Sequence, residues 1–227
     1  MTRLLEGGNI FKGSDKQPLT RRIKQSEIPD TIQYLERVTG IDFSTDKDDS
    51  GVPIKWLGTT GRKSDSGDLD LSVDANEIDK DRFADKLISI FGKDSVKKSG
   101  DSVHLKTPIM GDETAGFAQT DFMFSANPKF QQGSMLGGGA DSPYRGEHRH
   151  IVLSSIARAR GLKYSPKFGL VDPETNQPIK DGDDWNQIAK KLLGPTAAVK
   201  NIRSVENIID FIKKLPNYEE LIAAALS

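Results

Sequence analysis

The amino-acid sequence predicts an α+β fold: a mixed β-sheet backed by helices, followed by a mainly helical subdomain. In its first half, helical and strand patterns come in the order helix, strand, strand, helix, strand, strand. A glycine-rich stretch, QQGSMLGGGAD, separates this half from a second one in which helical periodicity dominates. With 227 residues, 35 % of them hydrophobic and 29 % charged, the chain is long enough to bury a substantial core.

The first half opens with a helix. Ser26 is a favourable N-cap, Pro29 is tolerated in the first turn, and apolar residues recur at helical spacing until Gly40. The pattern then predicts, in chain order, strands over 53–57 and 68–73, a helix over 81–91, and strands over 102–109 and 117–124. The last two strands are separated by MGDETAG, which is typical of a hairpin connection.

The second half begins with a helix capped by Ser142, with Pro143 in its first position. The pattern continues with an irregular hairpin over 161–179 and helices over 184–193, 204–215 and 217–225. We therefore expect three regions: a basic N-terminal arm over 1–25, a sheet domain over 26–138 and a helical subdomain over 139–227.

Composition excludes several classes of protein. The sequence contains no apolar run near the ~20 residues that a membrane span needs and no apolar segment typical of a signal peptide. It also contains no cysteine, which rules out disulfides and thiolate metal sites. We therefore expect a cytoplasmic protein.

Charge is unevenly distributed, although the formal net charge is only −1. Residues 1–25 contain six basic and two acidic residues, and residues 142–203 contain eleven and six. Between them, residues 41–124 contain eleven basic and seventeen acidic residues. An acidic centre between basic ends suits a metal-dependent site that acts on a polyanion, and chance variation of a solvated surface is the alternative.

Two carboxylates stand on a strand that otherwise belongs to the core. Strand residues alternate between faces, so Asp68 and Asp70 share one face while Leu69 and Leu71 occupy the other. Neighbouring carboxylates repel each other unless a cation lies between them, and Mg²⁺ prefers such oxygen ligands. The alternative is an edge strand whose acidic face is solvated.

Further residues favour the metal site. Asp121 is an isolated carboxylate in a second strand, QTDFMF, and three carboxylates on neighbouring strands can hold two metal ions about 4 Å apart. Gly58 and Thr59 form a small turn whose backbone N–H groups and hydroxyl can hold phosphate oxygens. The same loop contains the cations Arg62 and Lys63, and also Gly67, which allows close approach beside Asp68.

The stretch GTTGRKSDSGDLDL, followed by a later strand aspartate, resembles the nucleotidyltransferase superfamily. It is most similar to the family X DNA polymerases of the DNA polymerase β type, whose pattern has a Gly-Ser turn, a basic loop, a strand D-x-D and a third strand carboxylate. The resemblance extends over residues 53–170, because GAD at 139–141 and GLKYSPKFGL at 161–170 look like the start and a later part of that family's thumb.

The resemblance implies a palm over 26–138 and a thumb-like subdomain over 139–227. It also implies that Asp68, Asp70 and Asp121 are the catalytic and metal-binding residues, with two Mg²⁺ ions or, alternatively, Mn²⁺. The candidate nucleotide-binding residues are Gly58, Thr59, Arg62, Lys63, Gly67, Gly139, Asp141, Arg145 and Arg149. Arg158 and Lys163 are further basic residues expected to contact a nucleotide or a nucleic-acid backbone.

The implied activity is Mg²⁺-dependent transfer of a nucleoside monophosphate from an NTP or dNTP to an acceptor hydroxyl, with release of pyrophosphate. A minimal DNA polymerase β-like enzyme acting on nucleic acid is the first hypothesis, because residues 1–25 are too few for that family's additional DNA-binding module. A template-independent transferase acting on RNA, protein or a small molecule is the second. It gains weight because residues 135–138 lack the aromatic residues that select the sugar in that family.

A non-catalytic, nucleotide-binding or virion-associated module is the third hypothesis. The presence of all three aspartates argues against it. The general character of the sequence also suggests a phage-encoded protein, which would place it in the host cytoplasm.

Overall fold

The structure is a computed structural model that describes residues 9–48, 51–136, 142–144, 146–216, 219 and 223. The chain divides into two compact units, Met1–Pro128 and Lys129–Ser227. The division lies ten residues before the boundary expected from the sequence at 138/139. Each unit has its own hydrophobic core.

The first unit is built on a five-stranded mixed sheet, which confirms the predicted α+β class with a mixed sheet. Its strands, with the two of a smaller sheet, are β1 (Ile23–Lys24), β2 (Trp56–Leu57), β3 (Asp65–Ser66), β4 (Asp68–Asp74), β5 (Val96–Ser99), β6 (Ser102–Pro108) and β7 (Phe117–Ser125). The order in the large sheet is β2-β4-β7-β6-β5, while β1 and β3 form the small one. Strands β4 and β7 are parallel, and the other neighbours are antiparallel.

Two helices contribute to the core of this unit, α1 (Ile28–Thr39) and α2 (Lys80–Phe91). Helix α2 begins where the Asp79 side chain accepts a hydrogen bond from the backbone N–H of Arg82. Apolar residues of both helices pack with the alternate residues of β4 and β7 that point away from the carboxylates, such as Leu69 and Phe122. The aspartates therefore occupy the sheet face opposite to this core.

The described part of the predicted N-terminal arm packs within the first unit. Phe11 is buried, and β1 pairs with β3 through Ile23 and Ser66. The backbone N–H of Arg21 donates to the carbonyl of Phe117, which lies at the start of β7. Residues 1–8 of the arm lie outside the described residues.

In the part that the structure describes, the second unit is mainly helical and includes a small hairpin. Its elements are α3 (Pro128–Ser134), α4 (Gly146–Ala159), β8 (Lys163–Ser165), β9 (Gly169–Val171), α5 (Trp185–Leu193) and α6 (Val205–Ile212). The helices at the positions of α4, α5 and α6 and the hairpin of β8 and β9 were predicted from the sequence. Most of the helix predicted over 217–225 lies outside the described residues.

The sequence did not predict α3, because its glycine-rich end is typical of a connector. The structure explains Gly133 by close approach: a Cβ built at this position would overlap the indole of Trp185. Trp185, the first residue of α5, stacks on Phe130 of α3, with ring centroids 4.9 Å apart. Across the described ranges, no helix has the length and apolar character required to cross a membrane.

Candidate metal centre

Three carboxylates converge on one face of the sheet, as the strand alternation predicted. Strands β4 and β7 run parallel in a register that places Asp70 directly beside Asp121, and Asp68 beside Gln119. Ligand oxygens of Asp68, Asp70 and Asp121 all lie within 4.8 Å of one another. The strands are held in this register by apolar residues on the opposite face, so the sheet itself brings the carboxylates together.

Burial and neighbouring negative charge both disfavour the ionised forms of Asp68 and Asp70. Burial raises the pKa of Asp70 well above its ordinary value, and the negative charges of Asp68 and Asp121 raise it further. Burial and the charge of Asp121 also raise the pKa of Asp68. A cation bound by the three groups would remove this repulsion. The donor set, made only of carboxylate oxygens, matches a hard divalent cation such as Mg²⁺ or Mn²⁺.

The Asp121 carboxylate is held by two side chains that the sequence did not identify as part of the site. His104 of β6 lies opposite Asp121 in the antiparallel register, and its Nδ1 is 2.7 Å from Asp121 Oδ1. Gln119 Nε2 donates to the same oxygen at 3.0 Å and to Oδ2 at 3.3 Å. The hairpin register was the one sequence signal for His104, since pairing β6 with β7 places it beside Asp121.

The turn after β2 approaches the triad through Gly58. Its φ of +57° is typical of glycine, and a Cβ built there would lie 2.8 Å from Asp70 Oδ2. The next hydroxyls have internal partners: Thr59 Oγ1 donates to Ser66 Oγ at 3.2 Å, and buried Thr60 Oγ1 accepts from the Asp70 backbone N–H at 3.0 Å. The turn thus fixes the start of β4, with Gly58 leaving space beside its second carboxylate.

The predicted cations of the loop differ in their placement. Arg62 Nη2 forms a 2.7 Å ion pair with Asp48 Oδ2, so the structure places this guanidinium on a neighbouring loop. Lys63 is exposed to solvent. Gly67 is also exposed and directly precedes Asp68.

Arg22 is a cation near the triad that sequence reasoning missed. The pairing of β1 with β3 brings it to the loop, where its Nη2 lies 2.5 Å from Asp65 Oδ1. Its Nη1 would be 3.4 Å from a Cβ built at Gly67, and its positive charge lowers the pKa of Asp68 against the effect of burial. More than forty residues separate Arg22 from the D-x-D strand, and no motif connects them.

In the second unit, one predicted nucleotide-binding residue requires correction. Arg149 is buried, with Nε donating to the carbonyl of Ile202 at 2.7 Å and Nη1 to those of Gly133 and Leu136 at 2.7 and 3.0 Å. Its guanidinium carbon also lies 4.8 Å from the centre of the Trp185 ring. Arg149 therefore stabilises the unit's interior instead of presenting a charge to a nucleotide.

The remaining predicted residues of the second unit, Gly139, Asp141 and Arg145, lie outside the described residues. Arg158 and Lys163 are described and exposed.

Comparison with known proteins gives no family for the chain. No protein-family model matches the sequence, and no curated protein matches it significantly.

Proposed function

We propose that the chain is a divalent-metal-dependent nucleotidyltransferase with a palm of the DNA polymerase β type. One observation carries this proposal: three carboxylates from two adjacent parallel strands lie within 4.8 Å of one another on a sheet face. The geometry suits a pair of shared metal ions, the arrangement used in nucleotidyl transfer.

Bound divalent cations would supply Lewis-acid activation of the acceptor hydroxyl and neutralise charge on the triphosphate. The chain's own residues have separate tasks around them. Asp68, Asp70 and Asp121 hold the cations, and Gly58 leaves space for a substrate oxygen beside Asp70. Arg22 offers positive charge to the phosphates at the edge of the triad.

Lys63, in the loop between β2 and β3, is a second exposed cation. Transfer would move a nucleoside monophosphate from an NTP or dNTP to a hydroxyl of the acceptor, and pyrophosphate would leave. We propose nucleic acid as the acceptor, as the resemblance of GTTGRKSDSGDLDL to the family X DNA polymerases implies.

The test is an incorporation assay with Mg²⁺ and each labelled NTP and dNTP. Three arms contain a primed template, a tRNA pool, or no added acceptor. Template-copying extension identifies a polymerase, while label on tRNA or on the protein alone identifies a template-independent transferase. The absence of incorporation in every arm, with Mg²⁺ and with Mn²⁺, would contradict the proposal.

Variants assign the activity to the triad. We expect Asp68→Asn and Asp121→Asn each to lower incorporation by at least about 100-fold, because loss of a ligand exceeds the 10–100-fold effect of outer-shell partners. Asp74→Asn is the matched control, because Asp74 ends the same strand outside the triad and accepts from the backbone N–H of Asn76. Full activity in both triad variants would show that these aspartates do not carry the reaction.

A further inference from the structure

We infer that His104, together with Gln119, positions the Asp121 carboxylate so that its Oδ2 faces the cation. The inference rests on the proposed function in one respect, namely that the triad binds a divalent metal. His104 is assigned as a positioning residue that acts through Asp121.

The two oxygens of Asp121 differ in the number and length of their hydrogen bonds. Oδ1 interacts with His104 Nδ1 at 2.7 Å and with Gln119 Nε2 at 3.0 Å, whereas Oδ2 has one longer contact, 3.3 Å from Gln119 Nε2. Two short bonds leave Oδ1 little capacity for a further partner. Oδ2 is consequently the oxygen that remains available as a ligand.

The orientation of the His104 and Gln119 side chains follows from the chemistry of the Asp121 carboxylate that they contact. An ionised carboxylate only accepts hydrogen bonds, so His104 donates from Nδ1 and Gln119 donates from Nε2. Gln119 is fixed at its other end as well, because its Oε1 accepts from the backbone N–H of Ile10 at 3.1 Å. With 5 % of its surface exposed, Gln119 has little freedom to turn away from Asp121.

The cost of placing a histidine here supports a role beyond packing. His104 Nε2 is buried, and it has no hydrogen-bond partner among the described residues. A buried polar atom without a partner lowers stability, so an apolar residue would fill the position more favourably if packing were the only requirement. The bond from Nδ1 to Asp121 is the interaction that an apolar residue would lose.

The experiment measures binding of Mn²⁺ alone to the full chain, with free Mn²⁺ followed by electron paramagnetic resonance and no nucleotide present. His104→Leu keeps much of the side chain's volume but has no donor, while the amide of His104→Asn can replace Nδ1. The matched control is Ser102→Ala, two residues away on the same strand and the same face. Thermal unfolding of each variant reports its stability separately.

We expect His104→Leu to weaken Mn²⁺ binding by about 10-fold, the lower end of the range for residues that hydrogen-bond to a metal ligand. We expect His104→Asn to restore most of the affinity. Ser102→Ala should bind as the wild type does. A merely structural role would change the melting temperatures of the His104 variants and leave the affinity of the folded protein unchanged.

The outcomes separate this inference from the proposed function. If wild type binds Mn²⁺, Asp121→Asn does not, and folded His104→Leu binds as tightly as wild type, the positioning role is wrong and the metal site stands. The same conclusion follows if His104→Asn is as impaired as His104→Leu. If the wild-type chain itself binds no Mn²⁺, the metal site fails and the positioning role fails with it.

Discussion

The two units of the protein bury charge in opposite ways. In the second unit, the buried guanidinium of Arg149 donates to three backbone carbonyls and lies over the Trp185 ring. In the first unit, Asp68 and Asp70 are partly buried beside Asp121, and the carboxylates repel one another. A charge that the fold itself satisfies stabilises structure, whereas repulsion that the fold retains indicates a place for a ligand.

Protonation behaviour differs accordingly. Burial lowers the pKa of Arg149 to about 10, which leaves the guanidinium charged at neutral pH and bound to its carbonyls. Burial and like charges raise the pKa values of the two aspartates, which disfavours their ionised forms. The triad therefore lowers the stability of the first unit, and a bound cation would restore that stability.

The largest stability effect should come from removing the buried guanidinium of Arg149, whose hydrogen bonds lie within the second unit. We expect Arg149→Met to lower the free energy of unfolding by about 3 kcal/mol, because it leaves several buried carbonyls without a donor. Urea unfolding followed by Trp185 fluorescence, in a Trp56→Phe background, reports on the second unit. Arg158→Met, on the same helix but exposed, is the control and should change stability little. Equal stability of the two variants would show that Arg149 is not needed in the interior.

A smaller effect of opposite sign should follow from relieving the repulsion. Asp70→Asn removes one of the three charges, and we expect the metal-free protein to gain on the order of 1 kcal/mol. Unfolding in EDTA, followed by Trp56 in a Trp185→Phe background, measures the first unit. Asp74→Asn is the control on the same strand. A loss of stability in Asp70→Asn would mean that Asp70 has a structural partner and would remove the contrast between the units.

The smallest effect is a pH dependence of that gain. A carboxylate whose folded-state pKa is raised costs nothing below its unfolded value near pH 4, and its destabilising effect grows as pH rises from there to the folded-state pKa. The stabilisation by Asp70→Asn should therefore be larger at pH 8 than at pH 5. Ion pairs elsewhere, such as Arg21 with Glu27, are present in both proteins and cancel in the difference. A gain that does not change with pH would show that charge is not its cause.

Alternation along the strands predicted which face each carboxylate occupies, but it did not predict that β4 and β7 are neighbours. Asp68 and Asp70 share a face because of the two-residue period, and Asp121 joins them because its strand also has an apolar face, with Phe122, directed to the core. The class of fold followed from the same patterns. Strands as short as β3 were missed, because two residues carry no detectable period.

Residues placed by distant pairing could not be predicted in the same way. Arg22 reaches the loop because β1 pairs with β3. Arg62 forms an ion pair with Asp48, whereas the loop pattern predicted that Arg62 contacts phosphate. Arg149 lies off the main apolar stripe of its helix, which is typical of a surface position. Its burial depends on carbonyls from other segments, such as that of Ile202, which helical periodicity does not represent.

The most direct test of the metal centre is an anomalous diffraction measurement on crystals of the full chain grown with Mn²⁺ and a non-hydrolysable dNTP analogue. We expect anomalous peaks among the carboxylates of Asp68, Asp70 and Asp121, with an Asp121 oxygen as one ligand. We expect these peaks to be lost in crystals of Asp70→Asn. Well-ordered carboxylates with no peak between them at saturating Mn²⁺ would contradict the central claim.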